Sequence, residues 1–70
     1  MTDYFSGATK SGRLFNINGV VWLVHSPVKI VNLQGEEEYG WDANDLSNNA
    51  AYHFFTQSEI KENNLVIKEF

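Results

Sequence analysis

The chain has 70 residues and no cysteine; 43% of its residues are apolar and 14% are aromatic, and its formal charge is −4. The lack of cysteine excludes a disulfide framework and a thiolate metal site, and the apolar content is too high for a mostly disordered chain. The composition predicts a small folded protein that suits a reducing compartment.

Residues 1–12 contain two glycines and scattered small polar residues with no sustained period. We therefore expect a flexible N-terminal arm followed by a single β-rich domain over residues 13–70. Tyr4 and Phe5 are the exception within the arm, because two exposed adjacent aromatic rings would leave a large apolar area in water. We expect both rings to pack back on the domain; the alternative is that they anchor a partner.

Two β-prone runs flank Asn18-Gly19, and both of these turn residues tolerate the positive φ that a two-residue type I′ turn requires. Residues 13–17 and 20–25 are therefore predicted to pair as a hairpin. Alternation with a period of two places one apolar set on a face that must be buried. That set is Phe15, Ile17, Val20, Trp22 and Val24.

The next break is at Ser26-Pro27, because proline lacks an N–H and is confined to strand edges, bends and bulges. A third strand is predicted over residues 28–33. A turn at residues 34–35 then leads into a fourth strand over residues 37–41, so that these two strands form a second hairpin.

Residues 42–49 are rich in Asn and Asp, whose side chains favour turns over regular structure. This composition predicts a loop with one helical turn at residues 43–46. Residues 50–55 fit a strand or part of a helix, and we favour a strand because the stretch is short and rich in aromatic residues. The alternative is a single helix over residues 42–55 packed across the sheet.

A capping box begins at Thr56, with Glu59 placed to reach back to it. It predicts a short helix over residues 57–62. The two asparagines at 63–64 suit the left-handed conformation of a helix end. A last strand is predicted over residues 65–70.

These elements predict a mainly β fold of five or six short strands with one short helix near the C-terminus. The strands would form a small, strongly bent antiparallel sheet or a barrel of the SH3-like kind. An antiparallel meander with a helix over residues 42–55 is the alternative.

The longest apolar run, residues 20–24, is far shorter than the ~20 residues of a membrane helix. The N-terminus also lacks the cationic start and apolar middle of a signal peptide. We expect a cytoplasmic protein with no membrane partner.

The charge is unevenly distributed: residues 1–35 carry a net charge of +2 and residues 36–70 a net charge of −6. Direct binding to nucleic acid is therefore disfavoured, because such binding depends on clustered Lys and Arg. The expected partner is a basic protein surface, which could itself belong to a nucleic-acid-binding protein.

No residue pattern predicts catalysis or a metal site. His25 and His53 are the only histidines, and neither has a ligand at metal-binding spacing. A domain of this size is also expected to have little room for a substrate pocket of ~300 Å³ or more. We therefore expect no enzyme activity, no metal and no cofactor.

The acidic and aromatic stretch over residues 36–45 is the predicted partner-binding site, although such stretches often form a solvated hairpin tip. A dense negative field steers a basic partner, and large aromatic rings anchor it. If the strand face that carries Tyr39 and Trp41 is directed outward, Trp41 is the anchor. If that face is directed inward, only the carboxylates remain for binding. The site comprises Glu36, Glu37, Glu38, Tyr39, Trp41, Asp42 and Asp45.

These features predict a non-enzymatic acidic binding protein that modulates or inhibits another protein, by imitating nucleic acid or by blocking a surface. In general type it resembles the small accessory and host-takeover proteins of bacteriophages. One alternative is a nucleic-acid-binding barrel that stacks bases on its aromatic rings. Another is a self-assembling subunit or assembly chaperone, which pairs through an exposed strand edge as a homodimer.

Overall fold

The computed structural model describes residues 4–70, which form one five-stranded antiparallel sheet and one short helix. The elements are β1 (Arg13–Ile17), β2 (Val20–Val31), β3 (Glu37–Asp45), β4 (Ala51–Thr56), α1 (Gln57–Glu62) and β5 (Ile67–Glu69). The strand order is β4-β3-β2-β1-β5, so β1 to β4 form a meander and β5 adds to β1. The predicted mainly β fold is confirmed. Within residues 4–70, β4 and β5 are the two edge strands of the sheet and do not pair with each other. The sheet is therefore open and does not close into the barrel that was the other predicted form.

The predicted first hairpin is confirmed. Asn18 and Gly19 have φ values of 51° and 86°, as a tight type I′ turn requires. Phe15 is opposite Trp22 in the register. Asn16 stabilises the turn, because its Oδ1 accepts a hydrogen bond from the Gly19 N–H at 2.8 Å.

The core lies on one face of the sheet and includes three of the five residues of the predicted hairpin face; of the other two, Trp22 is partly buried against it and Val20 is half-buried outside it. It is covered by the N-terminal segment, the helix and the residues that follow it. Its buried members are Phe5, Phe15, Ile17, Val24, Trp41, Ala43, Phe55 and Ile60.

The N-terminal aromatic residues pack on this core, as predicted. Phe5 is 1% exposed, and its ring centroid lies 5.2 Å from that of Phe15 and 5.1 Å from that of Trp41. Tyr4 is partly buried, with its ring edge-on to Trp41. Residues 1–3 lie outside the described range, and the flexibility of the arm stays a prediction.

The prediction of separate second and third strands is wrong, because β2 runs without interruption through Ser26-Pro27. The register shifts between Val24 and Pro27, as a β-bulge does. Within the bulge the Ser26 N–H donates to the Thr9 carbonyl at 2.9 Å. Pro27 pairs with Trp41 directly after the bulge, at a position whose backbone is directed away from β3, so its missing N–H removes no bond to β3 and the proline does not end the strand.

The predicted loop and helical turn after residue 41 are also wrong. Strand β3 continues to Asp45, and Ala43 is fully buried between Val24 on β2 and His53 on β4. Pairing on both sides of β3 outweighs the local preference of Asn and Asp for turns. The chain turns over residues 46–50, and the predicted strand β4 is confirmed in place of the alternative helix over residues 42–55.

The predicted helix bounds are confirmed. Thr56 is the N-cap, and its Oγ1 accepts a hydrogen bond from the Glu59 N–H at 3.1 Å. The expected return bond of the capping box is wrong, because the Glu59 carboxylate is directed to His53, 2.8 Å from Nε2. Asn64 adopts the predicted left-handed conformation, with φ 50°. The last strand is shorter than predicted, covering only Ile67–Glu69.

Candidate functional site: an acidic cleft between the β2–β3 loop and helix α1

A cleft of about 640 Å³ lies between the loop that joins β2 to β3 and the helix α1. Its volume lies within the roughly 300–1,000 Å³ that small-molecule sites occupy, so the expectation of no pocket of this size is wrong. The lining combines three aliphatic with three acidic side chains. These are Ile30, Val31 and Leu33 with Glu36, Glu38 and Glu62.

Glu38 is the buried charged residue of the described chain, with 8% of its surface exposed. Its Oε1 accepts a hydrogen bond from the Ser58 backbone N–H at 2.9 Å. Its Oε2 accepts from Asn32 Nδ2 at 2.8 Å and from Ser58 Oγ at 2.9 Å. These donors, the Ser58 N–H first and the Asn32 amide second, hold the pKa of Glu38 below its usual value. Glu38 therefore joins the β2–β3 loop to the first turn of α1 as an ionised group.

Asn32 shapes the loop that forms one wall of the cleft. Its Oδ1 accepts hydrogen bonds from the Gln34 and Glu36 N–H groups, both at 3.0 Å. Its backbone N–H donates to the Glu36 carbonyl at 2.9 Å, and its carbonyl accepts from the Gly35 N–H at 3.0 Å. This bonding satisfies the loop backbone internally and leaves the Leu33 side chain in water.

Two aliphatic side chains at the rim of the cleft are strongly exposed. Leu33 has a relative exposure of 102% and Val31 one of 67%. Glu36 lies on the same loop and is exposed as well. A single exposed aliphatic residue is ordinary on a protein surface, but two beside a carboxylate form a mixed apolar and acidic rim.

The predicted partner-binding residues do not form one surface. Glu36 and Glu38 line the cleft, whereas Glu37 is paired with Lys29, with its Oε2 3.1 Å from Nζ. That hydrogen bond raises the pKa of Lys29 above its usual value. Trp41 is fully buried in the core, and Tyr39 is partly buried on the same face. Since this face is inward, Trp41 offers no ring to a partner.

The remaining two predicted site residues lie outside the cleft. Asp42 accepts a hydrogen bond from the Tyr52 hydroxyl, which raises the pKa of Tyr52. Asp45 Oδ1 accepts from the Ser47 N–H at 2.9 Å and so stabilises the turn that follows β3. Both carboxylates therefore have local structural partners.

No family model, curated protein or solved structure matches the chain. Its function has to be inferred from its own residues.

Sequence reasoning missed Val31, Leu33, Ser58 and Glu62 as cleft residues. A local signal existed for Leu33, because an apolar residue between Asn32 and Gln34 in a turn has no neighbours to bury it. Ser58 and Glu62 are four residues apart, on one side of α1. Their place opposite the β2–β3 loop depends on the path of β3 and β4, which no local pattern contains.

The two histidines have structural neighbours. His53 Nε2 lies 2.8 Å from Glu59 Oε2, and its ring centroid lies 4.5 Å from that of Phe55. Its side chain is 45% exposed. His25 Nδ1 lies 3.1 Å from the Lys10 carbonyl oxygen.

Over residues 4–70, no three His, Asp or Glu side chains group as metal ligands, and no helix is long and apolar enough to cross a membrane.

Proposed function

We propose that this protein is a non-enzymatic binding protein that docks on a basic protein through the rim of the cleft. The observation that carries the proposal is the exposure of Val31 and Leu33 beside Glu36. Such a rim suits a Lys or Arg side chain, which has both an apolar stem and a cationic end.

The acidic side chains that line the cleft favour a basic partner, because no cationic side chain among residues 4–70 neutralises them. Among residues 4–70, Glu69 is paired with Arg13, Glu37 is paired with Lys29, and Glu59 lies against His53. Glu36 and Glu62 thus have no cationic partner in that part of the chain. Opposite charges at a rim accelerate association and select against acidic surfaces.

The cleft is better suited to docking than to catalysis. Its most buried titratable group, Glu38, is held ionised by Asn32 and Ser58, so it is a poor general acid near neutral pH. Occupying a basic surface would modulate or inhibit a partner, including one that binds nucleic acid. The rings of Phe5 and Trp41 are buried in the core and cannot stack on bases, which supports docking on protein over direct stacking on bases.

The experiment is quantitative capture of basic proteins from the lysate of the source organism on immobilised protein. Three baits are compared: the unchanged chain, Glu36→Lys and the matched control Glu69→Lys, which makes the same charge change on β5. We expect one basic protein on the unchanged chain and on Glu69→Lys, and a loss of at least about tenfold on Glu36→Lys. Equal recovery of the same proteins on all three baits would contradict the proposal.

A further inference from the structure

Strand β2 has one edge along its second half that no strand among residues 4–70 covers. β1 pairs with β2 only from Val20 to Val24, the residue opposite Arg13. Beyond the bulge, residues 27–31 pair with β3 on one side. No other strand among residues 4–70 occupies the opposite side.

The hydrogen-bond pattern tells which backbone groups this edge offers. In an antiparallel pair, hydrogen-bonded and non-bonded residue pairs alternate. Asn32 donates its N–H to the Glu36 carbonyl, so the next bonded residues of β2 are Ile30 and Val28. The residues that alternate with these along β2 direct their N–H and C=O groups away from β3.

Those outward residues are Pro27, Lys29 and Val31. Lys29 and Val31 each offer an N–H and a C=O, whereas Pro27 offers only its C=O. All three residues are exposed. The Tyr39 N–H donates to Gln57 Oε1 at 2.9 Å and is therefore directed away from β2. This is the direction expected if Tyr39 and Lys29, which lie opposite each other, form a non-bonded pair.

We propose that an extended segment of the basic partner adds to this edge as a further strand of the sheet. The inference rests on the proposed function and specifies the partner's conformation: the segment is bound through its backbone, as in known strand-addition complexes. An added strand would lie about 4.8 Å from β2. From there a Lys or Arg side chain can extend over Ile30 to the cleft and its carboxylates at Glu36 and Glu62.

The same edge disfavours a second copy of this chain. The antiparallel register that uses every outward residue sets Lys29 against Lys29 of the second copy, and like charges directly opposite destabilise a sheet. It also sets Pro27, which has no N–H, against Val31. Lysine and proline are the residues by which natural edges avoid pairing with themselves.

The test is amide hydrogen exchange measured by NMR on the full chain. In the free protein, we expect Lys29 and Val31 to exchange much faster than Val28 and Ile30, whose N–H groups bond to β3. The probe is a synthetic ten-residue peptide of alternating Val and Arg. Its control has the same sequence with four consecutive N-methylated residues, so that neither of its edges can pair. The unmodified peptide should slow exchange at Lys29 and Val31 by about tenfold or more, and the methylated one should not.

The other outcomes separate the two proposals. If the peptide perturbs Glu36 and Glu62 while Lys29 and Val31 stay fast, strand addition is overturned and the docking proposal stands. If the peptide slows exchange at Lys29 and Val31 equally in the Glu36→Lys variant, strand addition is supported and the proposal of docking at the acidic rim is contradicted. Absence of binding at millimolar peptide overturns the inference, as does slowing at Lys29 and Val31 caused by higher protein concentration alone, which would identify a second copy.

Discussion

Replacing Glu38 tests whether a buried carboxylate holds the cleft together. Glu38→Gln keeps the size of the side chain but removes the charge and turns one of its two acceptors into a donor. The Ser58 N–H can still be accepted by the amide oxygen, whereas Asn32 Nδ2 and Ser58 Oγ would face an NH₂ group. Hydrogen bonds to charged groups are worth about 1.5–3 kcal/mol each, and an unsatisfied buried donor costs about 1–3 kcal/mol. We expect Glu38→Gln to lower the free energy of unfolding by about 2–3 kcal/mol.

Urea unfolding at pH 7 measures this change, and Glu62→Gln is the matched control in the same cleft. Glu62 is exposed, so its replacement should alter stability by no more than about 0.5 kcal/mol. Equal midpoints for Glu38→Gln and Glu62→Gln would refute the structural role of Glu38. A double-mutant cycle with Ser58→Ala should give a non-zero coupling energy, because the two side chains share a hydrogen bond.

The pH dependence of stability provides a second readout for Glu38. Its pKa in the folded state is below the ordinary value of 4.5, so the folded state favours the ionised form. The resulting stabilisation is fully present above pH 4.5 and is lost as the pH falls through the folded-state pKa. Glu38→Gln should therefore flatten the decline of stability below pH 4.5, and an unchanged decline would argue against a paired carboxylate.

Three further substitutions test the fold. Phe5→Ala should lower the free energy of unfolding by about 3–5 kcal/mol in urea, because the ring is 1% exposed; a change below 1 kcal/mol would indicate an arm that does not pack. Gly40→Ala should cost about 1–3 kcal/mol, because a Cβ there overlaps the Phe54 ring, and most of this cost should disappear when Phe54 is also replaced by Ala. Asp42→Asn should lower the pKa of Tyr52 towards 10.0 in a spectroscopic titration, and an unchanged value would exclude the hydrogen bond between them.

Features determined by a few adjacent residues were predictable from the sequence. Asn18-Gly19 fixes the register of the first hairpin because so few residues tolerate positive φ at both turn positions. Thr56 marks the start of α1 because its hydroxyl accepts a helix N–H, and Asn64 marks its end through the left-handed conformation. Each of these signals acts within a few residues.

Features determined by contacts distant in sequence were not predictable. Strand β3 passes through a stretch rich in Asn and Asp because β2 and β4 bond to both of its edges. The alternation of Glu38 with Tyr39 and Trp41 was predictable, but which side faces the core depends on Phe5, more than thirty residues away. The acidic stretch therefore separates into a buried carboxylate at Glu38, a core tryptophan at Trp41 and an exposed rim at Glu36.

The most direct test of docking at the rim uses Leu33→Ser, measured by titration calorimetry against the basic protein captured on the unchanged chain. Leu33 is fully exposed, so the substitution should leave the urea midpoint unchanged. If the side chain contacts the partner, the dissociation constant should rise by about tenfold or more. Unchanged stability with an unchanged dissociation constant would contradict docking at the cleft rim.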